Sequence, residues 1–292
     1  MQLEELKTFV ALAEIKNFTK TAEKLLMSQP TVSLHIKNLE KEFETELFQR
    51  SPKFLKITKS GELLLERAKK MICIYEHARQ DIIELHKTIQ GTIKIGASYT
   101  IGEYVLPTLL RDLQKNYKEL LIEITIGNTE EIVAGVKHFV LDIGLIEGQM
   151  EDKDLVVVPF MEDELFIVAG NNHPLSSNKK VSIADLNNQA WVIREKGSGS
   201  REFLLSMLKA NKLKVDSMLT IGSNQGVKEA VVNGLGLSLL SHMVIARVLE
   251  HQYLRTIQVD DLQFKRTFSY ICAPSRQEKH NVKLLISALK EI

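Results

Sequence analysis

From residue 64 the chain places Leu64, Ala68, Met71, Tyr75, Ala78, Ile82, Leu85 and Ile89 at spacings that alternate four and three. A strict 3.5-residue repeat over more than three heptads keeps a narrow apolar seam on one side of a helix, which predicts a helical partner. At 1.5 Å per residue such a helix runs on the order of 40 Å. An amphipathic helix lying on its own domain is the competing account, and the 3.5 period, Ala and Tyr included, favours dimerisation. The texture differs on the two sides of the seam, with helical periodicity before it and strands alternating with helices after it. The chain therefore divides, and 292 residues leave room for two or three compact units.

Before the seam, Leu3, Leu6, Phe9, Val10 and Ala13 share one helical face. A second helix is expected from about Thr19 to Leu26, capped by Asn17 or Thr19, with Ala22, Leu25 and Leu26 inward. Met27-Ser28 breaks that pattern. Ser28 can cap a third helix with Pro30 in its first turn, where the missing N–H costs nothing. This helix turns Val32, Ile36, Leu39 and Phe43 inward. It presents Gln29, Thr31, Leu34, Lys37 and Asn38, with Ser33 and His35 at the margins. Two short helices joined by a tight turn, the second offering small polar groups from its first turns, are what a helix needs to read base edges in a major groove. Residues 48–58 then read as a short hairpin turning at Ser51-Pro52. From Leu47 to Gly61 the basic residues Arg50, Lys53, Lys56 and Lys59 stand without an acidic one, a patch suited to phosphates. Bulk charge carries no such message, because the whole chain sums to +1. A generic three-helix unit explains the helices but not the turn, cap, polar face and basic hairpin in this order.

The runs Asn17-Phe18-Thr19-Lys20-Thr21-Ala22-Glu23-Lys24-Leu25, Ser28-Gln29-Pro30-Thr31-Val32-Ser33, Ile36-Lys37-Asn38-Leu39-Glu40, Leu47-Phe48-Gln49-Arg50 and Thr58-Lys59-Ser60-Gly61 closely resemble the LysR-type transcriptional regulators. The resemblance covers essentially the whole chain. It implies an α+β protein overall: a winged helix-turn-helix over 1–58, a long dimerising linker helix over 59–89, and a two-lobed α/β effector domain of periplasmic-binding-protein type over 90–292. It also implies DNA contacts from Thr19, Lys20, Ser28, Gln29, Pro30, Thr31, Ser33, Leu34, His35 and Lys37, with Arg50 and Lys53 of the wing on phosphates. Leu34 replaces the long polar side chain of many relatives and suits a thymine methyl. The seam from Leu64 to Leu85 becomes the dimer contact, and two dimers are expected to form a homotetramer.

After Gly91, strands are expected over 92–97, 121–126, 141–146, 165–169, 190–193, 218–221, 237–241 and 267–273, with helices between them and after Pro274. Such alternation argues for parallel sheets covered by helices on both faces. Crossings near Phe160–Asp163 and Asp261–Lys265 would divide lobe I (90–161 and 266–292) from lobe II (162–265) around a hinged cleft. Four polar turns fall where strands meet helices: Ser98-Tyr99-Thr100, Gly127-Asn128-Thr129, Gly197-Ser198-Gly199-Ser200 and Ser223-Asn224-Gln225-Gly226. Ligands of open α/β sheets bind at strand carboxyl ends, where helix N-termini offer free N–H groups. Plain N-capping accounts for each turn singly; their recurrence in both lobes points to a site. The effector set is therefore Ser98, Tyr99, Thr100, Asn128, Thr129, Glu147, Ser198, Gly199, Ser200, Gln225 and Gly226. It suits a small anion or zwitterion, and Glu103, Glu130, Glu131 and Glu147 would also welcome an amine. The runs Ile95–Ser98, Gly102–Pro107, Ile126–Ile132, Leu145–Gly148 and Arg194–Glu202 look most like the CysL branch of the family, linked to sulfur and cysteine metabolism.

Other classes find little purchase. There is no HExxH, no GxSxG nucleophile elbow, no histidine cluster, and no Walker lysine beside Gly197–Ser200. Cys73 and Cys272 form neither a disulfide framework nor a metal spacing, which fits a reducing cytoplasm and leaves a thiol redox sensor without its pair. Residues 1–7 are charged and amphipathic, unlike a secretory signal, and no run reaches the ~18 apolar residues of a membrane helix. The expectation is a cytoplasmic DNA-binding regulator with no cofactor, no metal and no catalytic residue. Its partners would be double-stranded promoter DNA, a small effector, further copies of itself and, at the promoter, RNA polymerase. The alternatives are a regulator whose effector domain is vestigial, a solute-binding module, or an enzyme.

Overall fold

The computed structural model describes residues 2–51, 54–84, 91–148, 150–177, 181–259 and 262–291. Two compact units emerge, residues 1–87 and 88–292.

In the first unit, α1 (Leu3–Ile15), α2 (Phe18–Lys24) and α3 (Gln29–Glu42) precede a hairpin of β1 (Phe48–Ser51) and β2 (Phe54–Ile57), and α4 (Lys59–Glu84) follows. Each start has a local cause. Asn17 Oδ1 accepts from Lys20 N at 2.9 Å, and Ser28 Oγ accepts from Thr31 N at 3.2 Å, with Pro30 in the first turn of α3. Thr58 Oγ1 accepts from Gly61 N at 3.0 Å, so it caps α4. Leu6, Phe9, Leu12, Ile36, Leu39, Leu47 and Phe48 close a single core between helices and hairpin. Two inward assignments fail. Leu26 is 96% exposed, because α2 ends at Lys24 and Leu26 turns the chain with φ +54°. Phe43, the C-terminal cap of α3, is 43% exposed.

The α4 seam is split in use. Leu64 and Ala68 are buried in the unit's own core, with Leu65 and Ile72 beside them. Lys7–Glu76 and Lys69–Glu14 ion pairs, both at 2.9 Å, bind α4 to α1. Leu64 and Ala68 are thus not available to a partner helix, contrary to the heptad reading: a 3.5 period cannot say which helix fills the seam. Met71, Tyr75, Ala78 and Ile82 stay exposed, and Leu63 and Ile74 join them. Leu85 lies outside the described residues, as does Lys53.

The second unit runs β3 (Gly91–Ser98), a π-helical turn (Ile101–Val105), α5 (Leu106–Asn116), β4 (Leu120–Gly127), α6 (Thr129–Lys137), β5 (Ile143–Glu147) and β6 (Val156–Gly170). It continues through β7 (Gln189–Arg194), α7 (Gly199–Ala210), β8 (Val215–Ile221), α8 (Asn224–Val232), β9 (Ser238–Ser241) and α9 (His242–Glu250). The last elements are β10 (Leu254–Ile257), β11 (Phe264–Cys272), α10 (Pro274–Gln277) and α11 (His280–Leu289). The principal sheet has the order β10-β6-β11-β5-β3-β4, with β9 also on β6, and β7 pairs with β8. Parallel pairing holds for β3 with β4 and β5, and for β7 with β8. β11 lies antiparallel to β5 and β6, and β6 lies antiparallel to β9 and β10, so the sheet is mixed where parallel sheets were expected. The cause is the pair of crossings. One strand leaves lobe I and the other returns, and they run in opposite directions side by side. β10 and the first half of β6 were not foreseen.

Each lobe buries apolar side chains on both faces of its strands. Ile93, Ile95, Leu106, Leu145, Phe268 and Leu285 belong to one cluster of lobe I, with Ile132, Val136, Ile146 and Ile271 in the other. Ile167, Trp191, Ile193 and Leu239 stand in one cluster of lobe II, with Val168, Val192, Val227 and Ile245 in the other. Two-sided burial of this kind fixes the strand ends where the polar turns meet.

Candidate functional site: a recognition helix and a charged interlobe hub

On α3 the polar residues divide into two groups. His35 Nδ1 lies 2.8 Å from the buried Thr8 hydroxyl, and Asn38 Nδ2 donates at 2.8 Å to the buried Glu5 carboxylate. Burial would raise the Glu5 carboxyl, but the Asn38 and Gln2 hydrogen bonds hold it below the usual carboxylate range. These two residues fasten the helix to α1. Gln29, Pro30, Leu34 and Lys37 are exposed, as are Ser28, Thr19 and Lys20; Thr31 and Ser33 are half-buried. Ser28 and Thr31 are partly spent on the cap, their hydroxyls 2.8 Å apart. His35, expected at the DNA, is at least half committed to the scaffold. In the last turn of α3, Glu40 accepts from Leu47 N at 3.0 Å and holds the start of the wing; Arg50 lies on β1, opposite Leu55.

In the effector unit the polar turns converge on a residue the sequence reading had not chosen. Arg266 on β11 stands in register with Asp163 on β6, and its Nε donates to Asp163 Oδ2 at 2.7 Å. Its Nη1 donates to Glu147 Oε2 at 2.5 Å and Ser200 Oγ at 2.8 Å, and its Nη2 to Thr100 Oγ1 at 3.3 Å. All three charged side chains are at most 3% exposed. Glu147 also accepts from Thr100 N at 3.1 Å and Ser200 Oγ at 3.2 Å. Thr100 caps the π-helical turn after β3 and Glu147 closes β5, both in lobe I, and Ser200 opens α7 of lobe II, so the guanidinium joins the lobes.

Electrostatics separates the two carboxylates. Burial would raise the Glu147 carboxyl, but the Arg266 charge and hydrogen bonding from Thr100 hold it below its ordinary value. Burial pushes the Asp163 carboxyl up, aided by the Glu147 charge and opposed by Arg266 and by Ser241, whose hydroxyl donates at 2.6 Å.

A second bridge runs through Arg194. Its guanidinium grips Glu195, donates to Asn224 Oδ1 at 2.5 Å and lies 4.4 Å from the centre of the Tyr99 ring. Asn224 Nδ2 donates to Thr100 Oγ1 at 3.2 Å across the lobes. Glu130 N donates to the Gly197 carbonyl at 3.2 Å. Gly199 approaches so closely that a Cβ there would stand 2.7 Å from the Glu147 carbonyl oxygen, so no larger residue fits. Next to the hub lies a cavity of about 630 Å³ whose lining includes Thr129, Glu130, Glu147, Lys196, Lys265 and Arg266. The Thr129 hydroxyl is buried there with no hydrogen-bond partner among the described residues.

Of the expected effector residues, Tyr99, Thr100, Glu147, Gly199 and Ser200 meet at these bridges, while Ser98 and Ser198 are buried beside them. Asn128 caps α6, accepting from Glu131 N at 3.0 Å. Gln225 is exposed and donates along its own helix to Glu229, and Gly226 N is taken by the Ser223 cap. Their neighbour Asn224 is the one that enters the cleft. Asp163, Arg194, Asn224 and Arg266 were missed. The signal was present: an acid and a base sit at the two crossing points, amid apolar strand residues that would not tolerate either alone.

Residues 3–62 match the bacterial regulatory helix-turn-helix protein, lysR family, and residues 86–292 match the LysR substrate binding domain. The chain is 52% identical to the HTH-type transcriptional regulator CysL of Bacillus subtilis over 290 residues, 99% of this chain and 97% of that protein. The regulatory domain of Synechocystis CcmR, solved in complex with 2-PG, is 25% identical with a TM-score of 0.64, covering 69% of this chain and 97% of that one. CbnR, a LysR family regulator, shares the fold at 17% identity and a TM-score of 0.72, covering 100% of this chain and 99% of that chain. The chain thus belongs to the LysR family of transcriptional regulators, with a helix-turn-helix domain followed by an effector-binding domain.

Proposed function

We propose that this regulator reads promoter DNA through α3 as part of a dimer, and that a small anionic or zwitterionic metabolite in the interlobe cavity changes how it does so. The observation that carries the effector half of this reading is the Arg266 hub. A ligand entering beside Arg266 competes with the very charges that join the lobes, so it binds the joined and parted arrangements unequally, which is the condition for shifting their balance. The unpartnered Thr129 hydroxyl offers such a ligand a hydrogen bond. Likeness to CysL supports a sulfur-linked metabolite, and the complexed CcmR domain supports occupancy of this domain by a small molecule.

On the DNA side, Gln29, Pro30, Thr31, Ser33, Leu34 and Lys37 face the bases, with Thr19 and Lys20 alongside. Arg50 and Lys53 of the wing take phosphates, contacts that position rather than specify. Residues 59–89 serve as the linker, with the exposed stripe Met71, Ile74, Tyr75 and Ile82 closing a dimer. The strand edges left apolar, β4 with Leu121 and Ile124 and β8 with Met218 and Leu219, suit a second contact that makes a tetramer. Among the described residues no helix is long and apolar enough to cross a membrane, and we place the protein in the cytoplasm, where RNA polymerase is its next partner at the promoter.

The test is footprinting of the purified protein on the divergent promoter beside its own gene, at fixed salt, with and without sulfate, sulfite, O-acetylserine and cysteine. A footprint that shortens or shifts with one of them supports the whole reading. Specific protection that none of them moves favours a ligand-independent regulator, a reading that the self-saturated state of Arg266 also suits.

A further inference from the structure

Two polar rungs join one flank of α3 to α1. In one, Asn38 Nδ2 donates to Glu5 Oε1 at 2.8 Å; in the other, His35 Nδ1 stands 2.8 Å from Thr8 Oγ1. Each partner on α1 is itself held. Glu5 Oε2 accepts from Gln2 N at 2.8 Å in the capping box that opens α1, and Thr8 Oγ1 donates to the Glu4 carbonyl at 2.8 Å. A hydroxyl has one hydrogen to give. Thr8 spends it on Glu4, with Met27 Sδ at 4.0 Å a weak competitor, so the His35 bond runs from Nδ1–H to the Thr8 oxygen. The neutral ring then carries its proton on Nδ1. The Glu5 carboxylate, whose field reaches the ring, favours the same arrangement. Glu5 is 6% exposed and Thr8 wholly buried, so neither reads DNA itself.

The apolar side of α3 does not do the same work. Val32, Ile36 and Leu39 are fully buried, but such packing is non-directional, and its contacts persist out to about 4.0–4.5 Å. A helix with its side chains is about 10–12 Å across, so a turn of about 10° about its axis carries a side-chain tip about 1 Å. Apolar contacts absorb much of that shift, whereas a hydrogen bond to a base edge has a window of about 0.5 Å. We infer that Glu5 and Thr8 are positioning residues for DNA recognition: through Asn38 and the Nδ1–H form of His35 they fix the rotation of α3 about its own axis, and so set which base edges Gln29, Ser33, Leu34 and Lys37 reach. The inference rests on the reading of α3 as the helix that faces the bases. Loss of a rung changes which bases are preferred, where a loss of stability alone weakens binding to every sequence alike.

The experiment is selection of binding sequences by the full-length protein from a library of random duplex DNA at fixed salt. Wild type is compared with Thr8→Val, Thr8→Ser, Asn38→Ala and, as a control on α3 itself, Ser33→Ala. Thr8→Val keeps the shape of the side chain and removes the acceptor. Thr8→Val and Asn38→Ala should each lower the preference for the favoured base at one or more positions at least about threefold, within what one directly read base pair carries. Thr8→Ser keeps the hydroxyl and should retain the wild-type preferences. Nitrogen-15 spectra of the labelled neutral imidazoles, with His35 assigned by its loss in His35→Gln, should place the proton on Nδ1 in wild type and on Nε2 in Thr8→Val. Unchanged base preferences in either Thr8→Val or Asn38→Ala, or binding that weakens equally for all sequences, overturn the inference, as does a wild-type His35 protonated on Nε2. If Ser33→Ala alone shifts the preferences, the reading of α3 stands without the inference; if Ser33→Ala also changes nothing, that reading falls with it. Should Thr8→Val not fold, Asn38→Ala carries the test, because Asn38 lies on the exposed side of α3.

Discussion

Asp163 and Arg266 face one another in register on the two antiparallel strands that carry the chain between the lobes, Oδ2 to Nε at 2.7 Å. Glu147, reaching the same guanidinium from the end of β5, makes the pair a triad with two acids and one base, all nearly inaccessible. The two acids are not equivalent. Glu147 accepts from Arg266, Ser200 and Thr100 N, whereas Asp163 has Arg266 and Ser241. Removing the charge of Glu147 leaves those donors facing an amide, at a cost of roughly 3 kcal/mol in unfolding free energy. Asp163 is the carboxyl that burial pushes up, so Asp163→Asn should cost less than Glu147→Gln. Denaturant unfolding at neutral pH of Glu147→Gln beside Asp163→Asn checks this, and an equal loss in the two would sink the distinction.

The pH dependence of the same variants has opposite slopes. Glu147 has a lowered folded pKa, so its contribution is complete above the ordinary carboxylate range and is lost as pH falls through the folded value. Asp163 has a raised folded pKa, so the folded state keeps its proton longer and the contribution is lost as pH rises through the ordinary value towards the raised one. The penalty of Glu147→Gln should therefore shrink as pH falls from 7 into the carboxylate range. The penalty of Asp163→Asn should grow over the same interval. Urea midpoints at several pH values measure both, and parallel profiles would show that the two acids share one environment.

Much of this site could be read from the chain, and the remainder shows where periodicity stops. Polar turns at strand ends announced Thr100 and Ser200 because a strand–helix junction leaves backbone groups that small polar residues satisfy. Arg266 and Asp163 lie inside strands, where the sequence shows only an interruption of an apolar run; their meaning depends on the register of two strands about a hundred residues apart. The α4 seam was legible as a seam but not as a divided one, since Leu64 and Ala68 answer to Phe9 and Leu39 of their own domain. Leu26 was misread because the period of α2 was extended two residues past its end.

That same turn gives a prediction about the helix-turn-helix. Leu26 adopts φ +54°, a conformation costly for a residue with a Cβ, and its side chain is almost wholly in water. Asparagine tolerates this region far better. Leu26→Asn should stabilise the DNA-binding domain by about 0.5–1 kcal/mol, because no buried apolar contact is lost. Thermal unfolding followed at the domain's own transition decides it, and a lowered midpoint would mean that Leu26 makes a contact in the assembly.

Gly61 poses the reverse case. A Cβ there would collide with the Leu47 carbonyl oxygen and stand 2.6 Å from Ile57 Cγ1, at the joint where β2 turns into α4. Gly61→Ala should cost about 1–3 kcal/mol by prying the wing from the helix, despite the better helix propensity of alanine. An unchanged melting temperature together with normal operator affinity would contradict the close approach.

The two halves of the α4 seam make separable predictions. Ala68 is fully buried against its own domain, so Ala68→Glu places an unpaired carboxylate in that core and should unfold the N-terminal unit. Ile82 is 61% exposed, near the far end of a helix about 39 Å long, and touches none of that core. Ile82→Glu should leave the domain folded, with unchanged helical circular dichroism, and raise the dissociation constant of the dimer at least about tenfold. Sedimentation of the two variants reads the difference directly. A variant at Ile82 that still sediments as wild type, with its helix intact, would mean that the exposed stripe is not where two copies meet, and the operator half-sites would then have to be spanned by contacts elsewhere in the chain.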